Sequence, residues 1–167
     1  MSRLFLLRHA KAGWAAPGMR DFDRPLDPGG RMDADAIGAA MAARTYVADL
    51  MLCSTAKRAR ETLDWVGRYV GDSRVIYSDD LYSTDAAGYV DFIRATADAD
   101  QVLLVGHNPM MEDVAMALSG TGDERARDAL CSGFPTSALA VIRFSGSLAE
   151  TAPGKGYLEA FVTPADL

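Results

Sequence analysis

The sequence holds no hydrophobic stretch near the roughly 20 residues that a membrane-crossing helix needs, so no membrane partner is expected. Its first apolar run, residues 4–7, is closed by Arg8 and is too short for the core of a secretory signal, which points to a cytoplasmic protein. Cysteine is scarce. Cys53 and Cys131 stand far apart with no C-x-x-C pair, the pattern of two reduced thiols rather than a disulfide framework or a zinc site. Basic runs are lacking too. With 17 Lys and Arg against 23 Asp and Glu, the net charge of −6 argues against a nucleic-acid surface. Trp14 and Trp65 are too few and too separated to form a base-stacking platform. No G-x-G-x-x-G follows the first apolar run, and Gly154-Lys155 is followed by Gly156 rather than Ser or Thr, so neither a dinucleotide fingerprint nor a P-loop is formed. No clustered Asp/His ligand set is present, and no metal or cofactor is expected.

The remaining composition is that of an ordinary globular chain, 49% apolar and 24% charged, and 167 residues suit one domain spanning 1–167. Apolar runs at residues 4–7, 50–53, 74–77, 102–105 and 138–144 read as strands, with 157–162 as the last. The runs at 4–7 and 102–105 are continuously apolar, as in strands covered on both faces. Helical signals lie between them. Asp27-Pro28 is a cap followed by Pro, with Ala34, Ile37 and Met41 at helical spacing. Ser54 or Thr55 is placed to cap a second helix with the face Ala59, Leu63, Val66 and Val70. Val90, Ile93 and Ala97 mark a third, and Asn108-Pro109 opens a fourth with Met111, Val114, Ala115 and Leu118 inward. This alternation predicts an α/β fold: a three-layer α/β/α sandwich around a mostly parallel central sheet.

Histidine is the other scarce residue, and both copies sit at strand ends. His9 closes Leu4-Phe5-Leu6-Leu7-Arg8-His9, and His107 closes Val102-Leu103-Leu104-Val105-Gly106-His107. Open α/β sheets bind ligands beyond the carboxyl ends of their strands. Arg58 falls one turn into the helix after the second strand. If those three strands are parallel neighbours, Arg8, His9, Arg58 and His107 converge on one crevice. Guanidinium forks match phosphate oxygens two at a time, and a helix N-terminus favours an anion. A neutral imidazole has a lone pair that can attack phosphorus. The arrangement describes a phosphoryl pocket without saying which histidine attacks.

These residues resemble the histidine phosphatase superfamily. Leu7-Arg8-His9-Ala10 is similar to its R-H-G/A signature, the stretch from Ser54 through Arg58-Ala59 to Thr62 to its S-x-x-x-R-A-x-x-T segment, and Gly106-His107 to its late G-H motif. Arg24-Pro25-Leu26, His107-Asn108-Pro109 and Thr136-Ser137-Ala138 look most like the SixA-type phosphohistidine phosphatases. The resemblance implies a phosphoglycerate mutase-like fold, with His9 as the nucleophile that becomes phosphorylated. Arg8, Arg58 and His107 would hold the phosphoryl group, with Arg24 and Asn108 as further substrate contacts. It implies no metal.

Many members of the superfamily carry a Glu after a mid-chain Leu that protonates the leaving oxygen. Here Leu81 is followed by Tyr82, Ser83, Thr84 and Asp85. Loss of a general acid costs ordinary esters roughly 10²–10⁴-fold, whereas a P–N bond to imidazole is labile. The expected partner is therefore a protein phosphohistidine, such as a phosphorelay carrier. Asp80, Asp85 and Tyr82 are the candidates to replace the acid. The alternatives are a small-molecule phosphomonoesterase acting on a sugar or nucleotide phosphate, and a phosphate-reading module with little turnover. A mutase is disfavoured by the short chain. Lys11, Lys57 and Arg60 read as solvated rim charges, Ser54 as a helix cap rather than a nucleophile, and Asn108 first as a cap. Trp14 reads as a cover over the site or a loop anchor. Specificity is expected in residues 11–24 and 119–135.

Overall fold

A computed structural model describes residues 1–96 and 98–167. Seven strands form one sheet: β1 (Ser2–Arg8), β2 (Leu50–Ser54), β3 (Arg74–Ser78), β4 (Gln101–Gly106), β5 (Ser119–Gly122), β6 (Leu139–Phe144) and β7 (Gly156–Val162). Their order is β3-β2-β4-β1-β6-β7-β5. Among the strands of the described residues only β6 runs against the others, since its pairings with β1 and β7 are antiparallel and the other strand pairings are parallel.

The helices are α1 (Pro28–Ala43), α2 (Lys57–Val66), α3 (Asp80–Ser83), α4 (Ala86–Arg94), α5 (Met110–Leu118) and α6 (Glu124–Cys131). Side chains alternate across a strand, and here the alternation divides the core in two. Leu4, Leu6, Leu50, Leu52, Val102 and Leu104 pack with Tyr89, Ile93, Met111 and Val114 of α4 and α5. Phe5, Leu7, Met51, Cys53, Leu103 and Val105 pack with Ile37, Met41, Ala59 and Leu63 of α1 and α2. The result is the three-layer sandwich that the sequence predicts. Full burial of one such Leu or Phe side chain stabilises by about 1.5–3 kcal/mol, which is why the central strands have no polar face.

Helix starts differ from the sequence reading at two places. Asp27 caps α1 as expected, accepting from the Gly30 amide at 2.6 Å. The cap position of α2 is Ala56, which has no side-chain acceptor, while Thr55 bonds the Asp79 carboxylate. Helix α5 starts at Met110 with Pro109 in the cap position, although Asn108 Oδ1 still accepts from the Glu112 amide at 3.3 Å. Of the residues assigned to the third helix, Val90 and Ile93 lie in α4 and Ala97 is outside the described residues. Residues 119–135 include a loop only at 132–135, where the Phe134 carbonyl meets Arg8 and Asn108. The rest fold largely as β5 and α6 at the sheet edge far from β2. No helix among the described residues is long and apolar enough to cross a membrane.

Candidate active site

Strand register builds the site. In the parallel β1–β4 pair Arg8 stands opposite Gly106, so the next residues, His9 and His107, leave the sheet side by side. The His9 amide donates to the Gly106 carbonyl at 3.0 Å and continues the ladder by one step. In the β2–β4 pair Cys53 stands opposite Val105, which sets Ser54 at the same level. The two imidazoles lie 5.1 Å apart between ring centroids. Arg58, at the start of α2, reaches between them. Its Nε donates to His9 Nε2 at 3.4 Å, and its Nη2 lies 3.5 Å from His107 Nδ1.

Local contacts fix these groups. His9 Nδ1 meets the Ala10 carbonyl at 2.7 Å. A carbonyl can only accept, so Nδ1 carries the proton and Nε2 presents its lone pair to Arg58. The Thr62 hydroxyl accepts from the Ala10 amide at 2.9 Å and donates to the Arg58 carbonyl at 2.7 Å, tying the end of β1 to α2. Arg58 can only donate, so His107 Nδ1 accepts and Nε2 carries the proton, which it directs at the Ser54 hydroxyl oxygen 2.8 Å away. The Ser54 oxygen also accepts from the Ala56 amide at 3.2 Å. A histidine therefore does stand beside Ser54, and the serine orients that ring. The His107 amide donates to the Tyr89 hydroxyl at 3.2 Å, and that hydroxyl donates to the Leu81 carbonyl at 2.5 Å. A methyl group on Gly106 would come within 2.6 Å of the Tyr89 oxygen, so the glycine lets this clamp close.

Both rings are buried. Burial holds His9 down at a pKa of about 3, with the His107, Arg58 and Arg8 charges adding to the effect. Burial and Arg58 hold His107 at about 4. Near neutral pH both are uncharged, and His9 Nε2 is unprotonated, with Arg58 as its hydrogen-bond donor. Arg8 is drawn below its usual value by burial and by Arg58, with Glu112 opposing. Its Nη1 donates to the Phe134 carbonyl at 2.9 Å, and its buried Nε has no hydrogen-bond partner among the described residues. Arg8, with donors unspent, and Arg58, with its donors shared among His9, His107 and Asp21, stand beside two neutral imidazoles, a set that suits a tetrahedral oxyanion.

The other predicted residues stand further out. Asn108 Nδ2 donates to the same Phe134 carbonyl at 3.0 Å, so its side chain braces the loop behind Arg8. Arg24 donates to the Gly13 carbonyl and to Asp21 Oδ1, each at 3.0 Å. Asp85 is the cap of α4, accepting from Gly88 at 2.9 Å, and Asp80 is exposed. Tyr82 does reach the site, edge-on to His107 with ring centroids 5.5 Å apart. Lys11 is mostly exposed and its nearest carboxylate, Asp27, is 3.9 Å away. Trp14 is 95% exposed.

Sequence reading missed Asp21. It lies in the short 3-10 turn Asp21–Asp23, and its Oδ2 takes hydrogen bonds from Arg58 Nη2 at 3.1 Å and from the Tyr82 hydroxyl at 2.8 Å. Its carbonyl accepts from Arg58 Nη1 at 2.9 Å. Hydrogen bonds from Arg24 and Tyr82, together with Arg58, hold its carboxyl at a pKa of about 2. No three His, Cys, Asp or Glu side chains converge as a metal-binding group among the described residues.

Residues 4–89 match the model of the histidine phosphatase superfamily, branch 1. The chain belongs to this superfamily. An uncharacterised protein of Mycobacterium tuberculosis is 36% identical over 95% of this chain and 99% of its own length. Among solved structures, SixA of Agrobacterium tumefaciens is 40% identical with a TM-score of 0.85 and 98% of each chain covered. SixA of Nakamurella multipartitia is 32% identical with a TM-score of 0.86, over 98% of this chain and 96% of its own. The superfamily member is thus SixA-like, and its sandwich is the phosphoglycerate mutase-like fold.

Proposed function

We propose that this superfamily member is a metal-independent phosphatase that takes the phosphoryl group of a protein phosphohistidine onto His9 and passes it to water. The observation that carries this reading is the lone pair of His9 Nε2, held neutral by burial and aimed at the Arg58 guanidinium. An oxyanion seated on Arg8 and Arg58 presents its phosphorus to that nitrogen. Nε2 forms a bond to phosphorus, the bond to the leaving group breaks, and the guanidiniums stabilise charge on the equatorial oxygens. Water then adds to phosphorus. The P–Nε2 bond returns its electron pair to His9, and inorganic phosphate leaves with both water protons. His107 borders the same oxygens, its ring set by Ser54.

The absence of a poised acid among the described residues supports the substrate class. Asp21 is the carboxylate bonded to Arg58, and it is ionised, while the Glu112 charge lies on the Arg8 side of the pocket. The Tyr82 proton is committed to Asp21, and that hydrogen bond raises the tyrosine pKa further. An alkoxide leaving group lacks a donor here, and an imidazole needs less help. The names of the SixA relatives, as phosphohistidine phosphatases, point the same way. One domain over 1–167 and a cytoplasmic setting fit the single sheet and the two free thiols.

The test is a comparison of kcat/KM for a phosphohistidine peptide with a panel of alkyl phosphates, together with trapping of the phosphoenzyme. The expected result is at least a ~10²-fold preference for the peptide, with an acid-labile label that His9→Ala abolishes. A preference for alkyl esters, or a label that survives in His9→Ala, overturns the reading.

A further inference from the structure

A site built to hold an anion has a second anion at its mouth. Asp21 Oδ2 lies 3.1 Å from the Arg58 nitrogen that also faces His107. A carboxylate in this position repels a phosphoryl dianion, and a pocket that needed only to bind phosphate gains nothing from it. Its placement is nevertheless over-determined. Arg24, Tyr82 and Arg58 all donate to the two carboxylate oxygens.

Asp21 also marks the direction of the substrate. The pocket floor is closed by the ends of β1, β2 and β4, and His9 and His107 are buried. The Arg58 side chain is 9% exposed, whereas that of Asp21 is 52% exposed. Whatever is attached to the phosphoryl group must leave on the open side, past Asp21 and Tyr82. A fixed acceptor there is complementary to a leaving group with an N–H. A phosphoimidazole has one when its ring is protonated, on the nitrogen that does not bear phosphorus. The leaving oxygen of an alkyl ester has none.

Resting on the phosphohistidine reading above, we propose that Asp21 is the specificity residue of the pocket: its carboxylate accepts the distal ring N–H of a phosphoimidazole and disfavours phosphate esters. The substrate ring enters protonated, with hydrogen on one nitrogen and phosphorus on the other. The His9 Nε2 lone pair forms the new P–N bond. The old P–N bond breaks, its electron pair returns to the substrate ring, and neutral imidazole departs with its proton still directed at Asp21. Charge balances without a general acid, because the leaving group is already protonated at its far nitrogen.

Asp21→Asn tests this against two substrates, a phosphohistidine peptide and p-nitrophenyl phosphate. For the peptide, kcat/KM is expected to fall ~10–100-fold, with the alkaline limb of its pH profile moving to lower pH. For the nitrophenyl ester the loss is expected to be at least ~10-fold smaller than for the peptide, so the ratio of the two kcat/KM values falls, and a urea unfolding midpoint close to that of wild type shows that the variant is folded. An equal loss on both substrates overturns the proposal, because Asp21 then only holds Arg58 in place. An unchanged peptide rate overturns it as well. Failure of the underlying phosphatase reading is separate: wild type would then form no acid-labile phosphoenzyme from either substrate.

Discussion

Acidification from pH 8 to pH 5 should cost the folded state about 4 kcal/mol through its two histidines alone. In the unfolded chain each ring takes up its proton near pH 6.5, whereas in the folded protein burial delays this to about pH 4 for His107 and about pH 3 for His9. Between these limits the unfolded state binds more protons, so stability is full above pH 6.5 and drains away as pH falls. Each ring contributes about 1.4 kcal/mol per pH unit, or about 2 kcal/mol by pH 5. Asp21, at about 2, remains ionised throughout this window. With a urea dependence of about 2 kcal/mol per molar, the unfolding midpoint should drop by about 2 M. The measurement is urea unfolding from pH 8 to pH 5 in a buffer free of oxyanions, for wild type and for a His9→Ala, His107→Ala double variant. The variant should be nearly flat across the range. If wild type and variant share one slope, or if the wild-type ring resonances titrate near pH 6.5 in NMR, the buried neutral pair does not exist.

Arg58→Lys keeps the charge and loses the fork that reaches His9, His107 and Asp21 together. In steady-state kinetics kcat/KM should fall about 10²–10³-fold, with the unfolding midpoint little changed. Tyr89→Phe removes the hydroxyl that joins the His107 amide to the Leu81 carbonyl in a fully buried position. Two backbone groups lose their partner, and urea unfolding should register a loss of about 2 kcal/mol.

Six of the seven strands were legible because each is an apolar run or an alternation bounded by turn residues. β5, Ser-Gly-Thr-Gly, has no apolar signal. It forms because its glycines allow close approach: a methyl group on Gly120 would strike the Gly154 carbonyl, and one on Gly122 would strike Leu158. Helix α6 buries only Ala126 and Leu130, too thin a stripe to stand out from its charges. The convergence of Arg8, His9, Arg58 and His107 was readable because each sits at a strand end or the helix turn after it, and topology fixes which end that is. Asp21 carried no such mark. It lies in an irregular stretch among other charges, and its importance comes from Tyr82 and Arg58, 61 and 37 residues away in sequence. The partner of Ser54 was hidden for the same reason, since the spacing from residue 54 to residue 107 does not reveal a pairing that strand register creates.

β1 has a position in the sheet that bears on how the protein is made. β1 is held between β4 and β6, which begin at residues 101 and 139 and are therefore made long after it. Until residues 139–144 emerge, one edge of β1 has no hydrogen-bonding neighbour, and its continuous row of Leu and Phe has no settled place. Folding of the sheet must wait until β6 has been made, as expected for a topology dominated by distant pairings. His9 follows directly on that waiting strand, so its meeting with Arg58 and His107 is complete only once the later strands have closed around it.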